Sequence, residues 1–419
     1  MMTQAFYSGI SGLKTFSSGI DVVSDNLANT NTVGFRGYNA EFASMFEKSL
    51  ATSNTSITNS SVGIGSKIQT TSMLQTNGSL LLSDKSTDLA IDGDGWFGIQ
   101  GENAPIYTRD GNFTFDANDD LVTNDGLHVL GTMGNNISAD DVLTSKLNEI
   151  ILGNVNTQEK LRFPKSLTYP AEPTTNAKFL ANVGVGDDPV TVAASVVDSQ
   201  SNKNNLRLEF TKNSIQNPPG SQWSVVATTQ SLDGEIIYDT KTGSVEFDTA
   251  GALVSSTLST IDNNGTPVAI NLGSGYDGIV SINVPLVPGS SIADGTIGGE
   301  LMGYAINENA EIIATFTNGE QSSVGKIALF HFQNDQGLER LSGTRFQESS
   351  NSGAPLFFTD EAGQNVIGAE VVNFKLEGSN YGMTSGLTEL IIYQRAYDAN
   401  SKSITTADEM MQKALNMDA

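Results

Sequence analysis

The sequence predicts a multidomain, mainly β protein. Its N- and C-terminal ends are expected to be long α-helices, paired in a coiled-coil-like way, with the β domains nested between them. Three observations carry that expectation. Both ends repeat apolar residues every seven positions. Charged residues are only 16% of the chain, against about a quarter in ordinary domains, and Gly, Ser, Thr and Asn fill the difference. Short β-like runs fill the interior, separated by Gly-, Pro- and Asp-marked turns.

The last stretch, TSGLTELIIYQRAYDANSKSITTADEMMQKAL from Thr384 to Leu415, has no Pro and a single early Gly, Gly386. Leu390, Tyr397, Ile404 and Met411 recur every seven residues, with Leu387, Ile391 and Leu415 on or beside the same stripe. At 1.5 Å per residue such a helix would be about 48 Å long. The row that would complete a dimeric seam is polar: Gln394, Ser401 and Asp408. The helix therefore wants a small, partly wet neighbour. The first helix offers one. Phe6, Leu13, Ile20 and Leu27 are spaced by seven, with Ile10, Ser17 and Ser24 beside them. The simplest packing sets the two ends on each other and loops out everything between.

Taken in order, residues 1–28 and 383–419 form the expected helical domain. Residues 29–79 read as an extended linker: Asn29, Asn31 and Gly34 end the helix, and a Ser/Thr/Asn-rich run with few large apolar residues follows. From residue 80 the runs WFGI, PIYT, NFTF and LHVLG alternate with Asp94-Gly95, Asp110-Gly111 and Asp125-Gly126, each a hairpin signal. Residues 150–294 form a second block, opened by the Pro-marked RFPKSLTYPAEP and turning about every ten residues, as a sandwich or barrel does. Residues 295–378 return to the first style. The inner β domain is thus 80–149 plus 295–378, and 150–294 is an inserted outer domain. Such nesting brings the termini together, which the heptads ask for independently.

Charge narrows the partners. The chain carries 22 basic and 47 acidic residues, a net −25. Nucleic acid needs a basic face, so it is not an expected partner. Anionic membrane surfaces are disfavoured for the same reason, and no apolar run of about eighteen residues exists to span a bilayer. Self-association of so acidic a chain should respond to salt. There is no Cys, hence no disulfide and no thiolate site. The N-terminal MMTQAFYSGISGLKTFSSG lacks the basic and apolar regions of a cleaved signal peptide.

No motif points to catalysis, a cofactor or a metal. Gly93/Gly95/Gly98 and Gly273/Gly275/Gly278 have dinucleotide-loop spacing, but strand-like segments follow instead of a helix. Asp116, Asn118 and Asp120 start like a calcium loop. The sixth position is Leu121 instead of Gly and the twelfth Leu127 instead of Glu, so an Asx-rich turn is the expected reading. His128 and His331 each sit in an apolar run and read as packing residues.

The segment NLANTNTVGFR resembles the N-terminal signature of the bacterial flagellar axial proteins of rod and hook. Asn26, Leu27, Ala28, Asn29, Thr32, Gly34, Phe35 and Arg36 occupy its fixed positions. The tail from Leu376 resembles the same family's C-terminal signature through Glu377, Ser379, Asn380, Glu389, Gln394, Arg395, Tyr397, Asn400, Ile404, Thr406 and Met410. DLAIDGDGWFGI, YTRDGNFTFDANDDLV and GYAINENAEIIATFTNGEQSSVGKIALFHFQNDQGL are also similar to family blocks, those of its hook members. The family's distal rod member has no insertion as large as 150–294, so the resemblance favours a hook-type member, with a distal rod or hook-associated protein as the alternative. The resemblance implies a structural, non-enzymatic subunit without cofactors, exported unfolded without a cleaved signal. It implies that the subunit polymerises with itself outside the cell, in the hook of the flagellar basal body. There it would meet the distal rod, the hook cap, the hook–filament junction proteins and the flagellar export apparatus. It further implies that the terminal helices line a tube transmitting torque. Phe6, Ile10, Leu13, Ile20, Leu27, Leu387, Leu390, Ile391, Gln394, Tyr397, Ile404, Met411 and Leu415 would pack that core.

Overall fold

The computed structural model describes residues 2–45, 47–49, 61–214, 216, 220–284 and 290–417. Two long helices stand at the ends: α1, Met2–Ala28, and α2, Met383–Met417. Everything described between them is strand, turn or short 3-10 helix. The chain is therefore mainly β with one helix at each end.

After α1 the connector is more ordered than its composition suggests. Tyr38–Ser44 pairs antiparallel with Ser66–Met73 to make a ribbon. The ribbon lies along α1, where the Thr15 hydroxyl donates to the Ser66 carbonyl at 2.9 Å. Phe42 tucks its ring against Phe16, centroids 5.8 Å apart. Residues 50–60, in the middle of the expected extended connector, lie outside the described residues, as do residues 285–289 in the expected boundary PLVPGSS.

Two hydrophobic cores follow. In the first, a six-stranded antiparallel sheet is built from both flanks of the middle block. Leu130–Met133 pairs with Gln321–Ile327, and Thr168–Tyr169 pairs with Gly299–Ile306. A five-stranded sheet joins Trp96–Ile99 and Ile106–Thr108 to Leu329–Phe330 and Arg345–Gln347. Trp96, Phe97, Tyr107, Phe113, Phe316, Phe330 and Phe346 are fully enclosed between them. This core also takes in Leu152, Leu161, Phe163, Leu167 and Tyr169, so it reaches past the break expected at residue 150. The Pro-marked stretch, expected to open the inserted block, carries irregularly spaced apolar residues. They fill the first core from short bridges instead of long strands.

The second core begins at Ala177. A five-stranded meander, Val190–Val197 to Leu253–Ser256, faces a six-stranded sheet centred on Asn176–Asn182. Trp223, Phe210 and Phe179 fill the space between. The chain enters and leaves this unit side by side, where Glu172 and Thr296 exchange two backbone hydrogen bonds of 2.8 Å.

Of the three Asp-Gly pairs, only Asp125-Gly126 turns a hairpin, closed by Gly126 N–H donating to the Thr123 carbonyl at 2.9 Å. Asp94-Gly95 and Asp110-Gly111 are corners, because the strands flanking each pair with different partners. Dipeptide signals report a reversal of direction, and only tertiary pairing says whether the two arms meet. Asp116 makes an Asx turn, its Oδ1 accepting from the Asn118 and Asp120 amides.

Candidate functional site: the helix pair and the buried clasp at its foot

The two helices touch through a face that apolar periodicity did not indicate. The buried residues of α1 are Gly9, Gly12, Thr15, Gly19, Val23 and Asn26. Their partners on α2 run the opposite way. A Cβ at Gly9 would lie 2.6 Å from Ile404 Cγ1, one at Gly12 2.5 Å from Asn400 Oδ1, and one at Gly19 3.2 Å from the Tyr393 ring. The backbones approach closely because α1 offers no side chains there. Tyr393, Phe16 and Phe42 then close the gap between helices and ribbon, with ring centroids 5.6–6.2 Å apart.

This corrects the expected seam. On α2 the contact row is Tyr393, Asn400 and Ala407, one position before the polar row Gln394, Ser401 and Asp408. Gln394 and Asp408 face outward, and Ser401 is half-buried. Leu390 and Met411 are half-buried at the edge of the contact, and half-buried Ile404 lies in it, against Gly9. Leu387, Ile391, Tyr397 and Leu415 are exposed, as is Ile10 on α1. Phe6, Leu13, Ile20 and Leu27 are half-buried flanks. Apolar periodicity marks a face but not what lies against it, and here the closest approach falls on small residues.

At the foot of the pair the two signature segments lock together. Asn26 holds the turn out of α1, with its Oδ1 accepting from the Tyr38 amide at 2.9 Å and its Nδ2 donating to the Tyr38 carbonyl at 2.7 Å. Asn29 Oδ1 accepts from the Thr32 hydroxyl at 3.0 Å. Leu27 is half-buried and Ala28 exposed. Gly34 adopts φ +67° and donates to the Glu377 carbonyl at 2.7 Å. Any Cβ at this position would meet the Asp110 backbone at 2.4 Å, so only glycine fits. Phe35 is buried under the Arg340 guanidinium, 5.3 Å from its ring.

Arg36 reaches inward from the N-terminal segment to Glu377, which leads into α2. Their closest atoms are 3.1 Å apart. The other Glu377 oxygen meets Arg109 of the β body at 3.2 Å. All three side chains are at most 3% exposed. Glu377 Oε1 also accepts from the Gly78 amide at 2.9 Å, and Asn380 ties Gly37 to the Leu74 and Thr76 carbonyls. Trp96 lies beside both guanidinium groups, 6.0 Å from Arg36 and 5.5 Å from Arg109. Burial pulls the Arg109 pKa down to about 10, and the Arg36 charge adds to that. Glu377 opposes both. Arg36 is shifted down by burial in the same way, again against Glu377. One carboxylate thus holds two buried cations that come from different parts of the chain. Glu377 and Arg36 are signature positions; Arg109 lies in the block YTRDGNFTFDANDDLV, with nothing in the sequence to pair it with Glu377.

Among the described residues no group of His, Asp and Glu could hold a metal ion, and no helix is long and apolar enough to cross a membrane. Neither glycine-rich string opens a helix; strands Trp96–Ile99 and Asp277–Val280 follow. His331 is buried, with its Nε2 2.7 Å from the Ile367 carbonyl and its ring against Phe358. His128 is partly exposed beside Asp120, 3.8 Å away.

The structure thus joins a helix pair with a glycine-lined seam to a β body through buried charge. Family models match in chain order. The one described as "Flagella basal body rod protein" covers residues 6–36. "Flagellar hook protein FlgE/F/G D1 domain" covers 90–158, and "Flagellar basal body rod FlgEFG protein C-terminal" covers 374–417. Models of the flagellar rod and hook proteins thus match both ends of the chain and one inner segment. The chain is similar end to end to proteins named flagellar hook protein FlgE. It is 28% identical to the one from Borreliella burgdorferi and 27% identical to the one from Escherichia coli, covering 99% of this chain and all of each relative. The crystal structure of Helicobacter pylori flagellar hook protein FlgE2 shares the fold, with a TM-score of 0.54 at 16% identity over 71% of this chain and all of that one.

Proposed function

We infer that the chain is the structural subunit of a flagellar hook, polymerising with itself into a tube that carries torque from rod to filament. Its role is mechanical and not catalytic. The observation that carries this reading is the pattern of exposure on the helices. Leu387, Ile391, Met410 and Leu415 stand exposed on a pair whose closest contact runs along glycines and small residues. Apolar side chains left on long helices call for neighbours, and identical subunits supply them. The coiled-coil-like pairing of residues 1–28 with 383–419, and the nesting of β domains between them, belong to the same reading. So do a connector at 29–79, an inner domain of 80–149 plus 295–378, and an outer domain inserted at 150–294. The packing of Leu161 and Tyr169 in the first core supports starting that insertion nearer residue 170. Contact with the distal rod, cap, junction proteins and export apparatus, and export without a cleaved signal, follow from this role.

The test is assembly. Purified chain, concentrated at moderate salt, should form tubes that bend, and helical circular dichroism should rise as they form, because an isolated half-polar helix pair is marginal in water. Straight, stiff tubes would indicate a distal rod subunit instead. Helix content unchanged on assembly would contradict the sheltering role of the helices.

A further inference from the structure

We infer that the groove between α1 and the ribbon receives the C-terminal end of α2 from a second copy of the chain. The inference rests on the self-assembly proposed above and specifies one of its contacts. The groove holds about 480 Å³ and is lined by Tyr7, Ile10 and Lys14 of α1, by Lys67 of the ribbon and by Ile64 just before it. At 3.6 residues per turn, Tyr7, Ile10 and Lys14 lie on the side of α1 opposite Gly9, Gly12 and Gly19, hence away from the chain's own α2. Tyr7 and Ile10 are 66% and 55% exposed. Neither lysine forms an ion pair within the described chain.

The end of α2 has the complementary need. Extrapolating the Gly9–Ile404 and Gly12–Asn400 register sets Met2 opposite about residue 411. α2 continues to Met417, roughly 9 Å beyond the level of Met2. Leu415, in this overhang, is 69% exposed. Asp408 lies two turns earlier on the same face and is exposed. From Tyr7 to Lys14 is likewise two turns. For copies standing the same way up, α2 of one runs antiparallel to α1 of the next. Leu415 set against Tyr7 then brings Asp408 level with Lys14: apolar meets apolar and carboxylate meets ammonium, both at a spacing of about 10 Å. The other exposed stripe of α2, Met383, Leu387 and Ile391, fails this match. Placing Ile391 at Ile10 sets Leu387 against Lys14 and carries Asp398 beyond the groove. The contact joins two different patches and shifts the copies by about 15 Å along the axis. Such a heterologous contact propagates instead of closing on itself.

The absence of cysteine makes the test clean. Full-length chains carrying Tyr7→Cys and Leu415→Cys are mixed, assembled and oxidised. A disulfide between the two chains is expected in the polymer and not in dilute monomer. Lys14→Glu and Asp408→Lys should each raise the critical concentration for assembly about threefold, the scale of one exposed ion pair, and the double variant should bring it back. Polymers that form without the cross-link and ignore the charge swap would overturn the contact while leaving the assembly reading intact. Capture of Tyr7→Cys by a cysteine at Thr55→Cys of the same chain would overturn it in favour of an internal occupant. Failure of the unaltered chain to polymerise would remove both this contact and the function it rests on.

Discussion

The first β core and the helix pair handle apolar side chains in opposite ways. In the core, rings meet rings within the chain: Trp96 on Phe346 at 4.8 Å, Phe97 on Phe113 at 5.2 Å, and Tyr107 on Phe330 at 5.3 Å. Along the helices the inward face is mostly glycine, threonine, alanine and asparagine, with Val23 and Tyr393 among them, while Tyr7, Ile10, Ile391 and Leu415 point out. A β body of this kind carries its own stability, since it buries its large side chains without help. The helix pair gains little from its own contact, so its order depends on what it is clamped to and on what surrounds it. The Arg36–Glu377–Arg109 clasp is where the self-sufficient region holds the dependent one.

That comparison breaks most readily at Glu377. Glu377→Gln leaves two buried guanidinium groups without their carboxylate and should cost about 3–5 kcal/mol in urea unfolding followed by Trp96 fluorescence in a Trp223→Phe background. Arg36→Met should cost distinctly less, because Arg109 then keeps the carboxylate to itself. Equal losses for the two variants would mean that the cations do not share one partner.

A smaller effect sharpens the helix side. Helix propensity alone says that Gly9→Ala should stabilise α1 by up to about 1 kcal/mol. The seam says the opposite, since the new methyl would overlap Ile404. Overpacking of about 1–3 kcal/mol should raise the critical concentration for assembly while leaving urea unfolding of the β body unchanged. Better assembly of this variant would show that the glycine row is not the contact that matters.

The smallest effect belongs to the body. Burial lowers the pKa of His331 below its ordinary 6.5, so the folded chain favours the neutral ring against the opposing pull of the Ile367 carbonyl, Asp335 and Asp94, with Arg109 adding to the depression. A depressed folded-state pKa means that the stabilisation is complete above pH 6.5. It is lost as the pH falls from there through the lower folded value. Thermal unfolding of the body should show this acid slope, and His331→Phe should flatten it. A slope identical in both proteins would assign it to other groups.

Much of the architecture was legible in residue order because it rests on local rules. Heptads from Phe6 to Leu27 and from Leu387 to Leu415 announce helices, since periodicity near 3.6 residues is a property of the segment itself. Alternating runs with turn residues announce strands. The signature residues Asn26, Gly34 and Arg36 were visible as a pattern, and a positive φ explains Gly34 on its own.

What meets what was settled only by the tertiary fold. The seam lies on Gly9, Gly12 and Gly19 because two backbones approach there, and no hydrophobicity scale scores an absent side chain. Small residues at helical spacing were the signal that could have revealed it. Arg109 joins Glu377 across 268 positions of chain. A buried charge is tolerated only where a distant segment delivers its partner, so its identity cannot be read before the chain has closed on itself.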